Sequence, residues 1–118
     1  MVKVRELTAD EVVFSIEIEE EDAKFDFESD EPEKDEALKG ELRKRLDRGD
    51  LWAWCTVKVT ATWKTWKGVD YLGCCSYDSE KDFVDCGDYW PDMKERALED
   101  LNKSIARVAE TLAELQVA

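Results

Sequence analysis

The stretch from Leu51 to Trp66, LWAWCTVKVTATWKTW, constrains the fold most, because it alternates at period two and holds most of the tryptophan in the chain. Read as a strand, one face carries Leu51, Ala53, Cys55, Val57, Val59, Ala61 and Trp63, and the other carries Trp52, Trp54, Thr56, Lys58, Thr60, Thr62, Lys64 and Trp66. The first face requires a core. The second, polar in its middle and aromatic at its ends, suits a sheet surface open to solvent or offered to a partner.

Partners for this strand are legible on both sides of it. Glu11 to Glu19 alternates with Val12, Phe14, Ile16 and Ile18 inward and Ser15, Glu17 and Glu19 outward. Met1 to Thr8 reads as a short edge strand, Ala9-Asp10 as a turn, and Phe25 and Phe27 as an extension of the hairpin. Lys67-Gly68 offers a turn into a partner strand from Val69 to Tyr77, in which Gly73 marks a bulge or a close backbone approach. From Glu33 the spacing becomes helical, with Leu38, Leu42 and Leu46 at four-residue steps, late basic residues and Gly49 as a stop. Ser79 and Asp82 mark a short helix or turn, and GDYWPDM reads as a linker. From Pro91 onward Met93, Ala97, Leu101, Ile105, Val108, Leu112 and Leu115 form one amphipathic stripe, expected to lie on Val57, Val59, Phe14 and Ile16. The expectation is one α+β domain over residues 1–118: an antiparallel sheet of about four strands packed on two helices, the C-terminal one long.

The chemistry is bounded by what the chain lacks. With no His there is no imidazole base or metal ligand, and neither GxGxxG nor GxxxxGK occurs, so an enzyme and a cofactor are not expected. Cys55, Cys74, Cys75 and Cys86 do not have paired zinc spacing and read as reduced thiols. The acids near Asp78 fail the calcium-loop pattern, which has Phe83 and Tyr89 where Gly and Glu are required. Asp78, Asp82 and Asp85 still leave a metal-dependent phosphodiesterase-type enzyme as an alternative.

Charge is the outlier. The formal net charge is -13, which disfavours direct contact with nucleic acid or an anionic membrane and favours basic partners. No apolar run approaches a membrane span and MVKVRELTADE has no apolar leader region, so a cytoplasmic protein is expected. Twelve acids stand between Glu17 and Glu36 against Lys24 and Lys34, and nine between Asp78 and Asp100 against Lys81, Lys94 and Arg96. On a strand, Glu17 and Glu19, or Asp26 and Glu28, lie about 6.6 Å apart on one face. That is about two steps of the roughly 3.4 Å phosphate repeat along one strand of a duplex. The residues read as contacting a basic protein surface are therefore Glu17, Glu19, Glu20, Glu21, Asp22, Asp26, Glu28, Asp30 and Glu31, with Trp66 as an aromatic anchor.

The segments GDLWAWC, GVDYLGCCSY and DMKERALEDLN, spanning about Gly49 to Asn102, resemble a group of small phage and prophage proteins. The resemblance carries over no catalytic or binding residue. It implies a viral accessory role, in which small acidic proteins mimic nucleic acid and block host defence or nucleic-acid enzymes. Together these readings give a non-enzymatic inhibitor that occupies a basic surface on a nucleic-acid-binding host complex. The alternative from another class is a homo-oligomeric assembly protein, a homodimer being the simplest, joined through the tryptophan-bearing sheet face.

Overall fold

The computed structural model describes residues 3–21 and 30–117. A 3-10 turn (Ala9–Glu11) leads into strand β1 (Val13–Glu20) and then helix α1 (Pro32–Asp47). A second 3-10 turn (Leu51–Ala53) precedes strands β2 (Cys55–Trp63) and β3 (Trp66–Cys75), followed by helices α2 (Glu80–Cys86) and α3 (Tyr89–Glu114). The strands form one antiparallel sheet in the order β1-β2-β3. The class is α+β as the sequence indicates, with three strands among the described residues instead of four and three helices instead of two. Phe25 and Phe27 lie outside the described residues. Among those described, no helix is long and apolar enough to cross a membrane.

Contacts group the chain into two compact units: Met1–Ile16, Val59–Asp70 and Asp88–Ala118 form the first, and Glu17–Lys58 with Tyr71–Gly87 the second.

In the first unit, β2 and β3 are joined by Lys64-Thr65, with Lys64 at φ 54, and not by Lys67-Gly68. Gly68 has a different task. A Cβ there would stand 2.3 Å from both Ala97 O and Leu101 N, so the missing side chain lets α3 lie directly on the backbone of β3. The helix is centred on this contact. Met93, Ala97 and Leu101, at four-residue steps, are fully buried, as are Val59 and Ala61 on β2. Polar residues on its two flanks serve part-buried backbone groups. On one side Val69 N donates to Asp100 Oδ2 (2.9 Å) and Arg96 Nε meets Asp70 Oδ2 (3.0 Å). This occupies a free donor of edge strand β3.

On the other flank Asn102 serves the N-terminal segment, Leu7 N donating to its Oδ1 (2.9 Å) and its Nδ2 donating to Leu7 O (3.1 Å). The segment read as an edge strand is therefore an extended stretch held by one side-chain amide, with Leu7 buried. Arg5 closes it through two bonds to Glu11, of 2.7 and 2.6 Å. Tyr89 and Trp90, read as linker, form the first turn of α3 behind Asp88. The apolar stripe of α3 outlasts its cover: Ile105 and Val108 are half-buried, and Leu112 and Leu115 are 56% and 73% exposed.

In the second unit, α1 buries Leu42, while Leu38 is exposed and Leu46 half-buried. The helix stops as Gly49 indicates. At φ 85 that residue lets Gly49 N reach Leu46 O (2.9 Å) and Asp50 N reach Arg45 O (2.9 Å), a Schellman closure. The same two positions also join through Arg45 Nε and Asp50 Oδ2 (2.8 Å), and Arg45 Nη2 donates to Tyr77 O (2.6 Å). Strand β2 begins at Cys55 and not at Leu51, because Leu51–Ala53 coils and sets Trp52 among Tyr77 and Phe83. Ring centroids lie 6.4 Å from Trp52 to Tyr77, 6.0 Å from Trp52 to Phe83 and 5.1 Å from Tyr77 to Phe83. Phe83, fully buried, comes from α2, whose N-cap Ser79 accepts from Asp82 N (3.2 Å).

Candidate binding surface

Strand β1 enters the second unit at Glu17, and its exposure alternates as the sequence does. Glu17 and Glu19 are exposed while Ile18 between them is half-buried. Across the sheet, Cys55 and Val57 on β2 are fully buried, so Thr56 and Lys58 point to the opposite, open side. Lys58 Nζ stands 4.0 Å from Glu19 Oε1 and 5.7 Å from the ring centre of Tyr71, itself 51% exposed. Glu19, Lys58 and Tyr71 thus form a row across three strands.

Glu21 shares the parity of Glu17 and Glu19 but does not project from the surface. Its carboxylate accepts from the Thr56 hydroxyl and from Cys74 Sγ (3.4 Å) and lies beside Gly73, where a Cβ would stand 3.5 Å from it. At that distance a Cβ would make an ordinary contact, so the carboxylate is held by its two donors and not by the lack of a side chain at Gly73. Cys74, at φ 56, presents its thiol to the same carboxylate.

Among the other residues expected to contact a partner, Glu20, Asp30 and Glu31 are exposed, and Glu31 is paired with Lys34 at 3.1 Å. Asp22, Asp26 and Glu28 lie outside the described residues. Trp66 does not share a face with Lys58 and Thr60. Because the hairpin turns at Lys64-Thr65, Trp66 opens β3 and stands two residues before Gly68, on the side that α3 covers, and is half-buried. Reading the turn three residues late put it on the wrong face. Lys58 and Tyr71 were missed as members of the row because their neighbours depend on strand register, which the period-two pattern alone does not reveal.

The acids from Asp78 onward are engaged locally. Asp82 Oδ2 accepts from Asp78 N (3.0 Å) and Asp85 is paired with Lys81 (2.9 Å). Among the described residues no three His, Cys, Asp or Glu side chains come together as a ligand set for a metal. All four cysteines are free thiols. Burial pushes the Cys55 thiol up to about 12, with the neighbouring Cys75 adding to it, and burial also raises Cys75. A hydrogen bond with Asp82 raises Cys86. These shifts favour neutral thiols over nucleophilic thiolates. Compared with family models, with curated proteins and with solved structures, the chain matches none.

Proposed function

We propose that this chain is a non-enzymatic binding protein that places carboxylates on a basic protein surface of the kind that otherwise holds nucleic acid. It would act as a phage-type accessory inhibitor of a host defence or nucleic-acid enzyme, in the host cytoplasm. The observation supporting this reading is the pair Glu17 and Glu19, both exposed on one face of a strand. Backbone pairing fixes their separation at about 6.6 Å. A partner's Arg and Lys side chains, spaced for successive phosphates, can meet them without the chain having to order itself first. Glu20, Asp30 and Glu31 add exposed negative charge nearby in sequence. The 4.0 Å contact of Glu19 with Lys58 is a loose, half-exposed pair, and such pairs are worth about 0–1 kcal/mol, which a bidentate arginine can displace.

Immobilised full-length chain in a host-cell lysate tests the reading. A captured protein should elute as salt is raised, because contacts between exposed charges are screened over a Debye length of about 8 Å at physiological ionic strength. Duplex DNA should release the same protein. The double substitution Glu17→Lys with Glu19→Lys should abolish its capture while leaving the melting temperature of the chain unchanged. Capture that is indifferent to salt, to DNA and to the charge reversal refutes the proposal.

A further inference from the structure

The apolar stripe of α3 continues two turns past the residues that cover it. Leu112 and Leu115 follow Val108 at the four- and three-residue steps of a seam, yet are 56% and 73% exposed, whereas Met93, Ala97 and Leu101 on the same stripe are fully buried. The surroundings of this overhang are unlike the rest of the molecule. From Ser104 to Val117 the only charges are Arg107, Glu110 and Glu114, in a chain whose net charge is -13. The positions bordering the seam, Ser104, Ala109, Thr111 and Gln116, carry none. At about 100° per residue Glu110 points away from the seam, and Arg107 and Glu114 share one flank seven residues apart. Neither of those two is in an ion pair among the described residues.

We propose that the exposed end of α3 is a self-association surface whose occupant is the same helix end of a second copy, running antiparallel. The charge pattern selects both the occupant and its direction. A basic partner finds little to hold on a surface of net charge -1, and a second copy brings no added repulsion at the seam. Antiparallel helices about a twofold near the middle of the overhang bring each Arg107 level with Glu114 of the other copy. Parallel helices would put this flank of the two copies on opposite sides of the seam, so that Arg107 and Glu114 could not meet across it. In that register Leu112 of each copy meets Leu112 and Val108 of the other and Leu115 meets the half-buried Ile105, giving an isologous contact. The covered patch is small, and interfaces below about 1,200 Å² are characteristically transient. The dimer therefore forms reversibly and in proportion to concentration. It is distinct from the sheet face and from the carboxylates of β1, and it does not depend on the function proposed for them.

Sedimentation equilibrium of the full chain over a wide concentration range tests the proposal. The mass should rise from the 13.7 kDa protomer toward twice that value. Leu112→Glu with Leu115→Glu should weaken association by about tenfold or more, as expected for loss of the central apolar residues. Both side chains are mostly exposed, so the melting temperature should not fall. Arg107→Glu should weaken association, and adding Glu114→Arg to it should restore association. High salt should leave association largely intact, whereas partner capture through Glu17 and Glu19 is lost. A chain that stays monomeric at every concentration, or a double-leucine variant that associates as tightly as the parent, overturns the proposal. Failure of the charge exchange to restore association overturns the antiparallel arrangement.

Discussion

Gly68→Ala is the substitution whose consequence the structure determines most directly. The added methyl carbon would sit 2.3 Å from Ala97 O, 2.3 Å from Leu101 N and 2.7 Å from Leu101 Cα, where ordinary contact begins near 3.4 Å. Every opposing atom is backbone, so no side-chain rotation relieves the clash, and α3 must withdraw by about 1 Å. Overpacking of this kind costs about 1–3 kcal/mol. Withdrawal also opens a gap beneath Met93, Ala97 and Leu101, now fully buried, and a gap of that width removes about a quarter to a half of each lost dispersion contact. The 2.9 Å bond from Val69 N to Asp100 stretches as well, for about 0.5–1.5 kcal/mol more.

Together these terms predict a loss of about 1.5–4.5 kcal/mol from a total that is typically about 5–15 kcal/mol. The melting temperature should fall by roughly 5–20 °C. Urea unfolding followed by tryptophan fluorescence, with the slope m compared between variants, measures the loss. Gly40→Ala is the matched control: that glycine lies inside α1 with nothing within 4 Å of the added carbon, so the change should stabilise by about 0.5–1 kcal/mol. A Gly68→Ala loss below about 1 kcal/mol, at unchanged m, would refute the direct helix-to-strand contact.

Asn102→Ala removes both bonds to the Leu7 backbone and leaves a part-buried donor and acceptor unpaired, for a loss of about 1–3 kcal/mol; hydrogen exchange at the Leu7 amide should accelerate. Two bonds from the Arg5 guanidinium, helped by Thr8 N, hold the Glu11 carboxyl at about 2 instead of its ordinary 4.5. Because the folded value is the lower one, the stability this pair contributes is present above about pH 4.5 and is lost as pH falls toward 2. In Arg5→Ala the NMR titration of Glu11 should move up toward its ordinary midpoint and stop short of it, because Thr8 N and the Thr8 hydroxyl still donate to the carboxylate. A thiol-labelling reagent near neutral pH should modify the exposed Cys74 and Cys86 in the native protein and reach the buried Cys55 and Cys75 only on unfolding.

Periodicity carried most of the fold. The alternation of Cys55, Val57, Val59 and Ala61 and the four-residue steps of Met93, Ala97 and Leu101 identify buried faces because both patterns are local consequences of strand and helix geometry. Helix stop and start signals worked where the backbone chemistry is local too, as at Gly49 and Ser79. What failed depended on long-range approach. Gly68 resembles a turn residue in sequence, but its function is to admit a helix that begins twenty-one residues later at Tyr89. Placing the turn there reversed the face of Trp66. Met1 to Thr8 alternates like a strand, yet Leu7, in its described part, is paired by the side chain of Asn102 and not by another strand.

The carboxylates on β1 show the same limit at the candidate site. Glu17, Glu19 and Glu21 share one parity, and sequence spacing makes them equivalent, but availability depends on what stands across the strand. Glu21 faces Thr56 and Cys74 and is drawn onto the sheet by these two donors. Glu19 faces Lys58 and shares its charge loosely. Glu17 is exposed and enters no hydrogen bond or ion pair among the described residues. Desolvating a carboxylate that already has partners requires breaking those contacts first, so the cost of meeting a guanidinium is lowest at Glu17 and highest at Glu21. Across β1, the charge offered to a basic surface is therefore graded, and Glu17 should dominate the loss of capture when the two outward carboxylates are reversed one at a time.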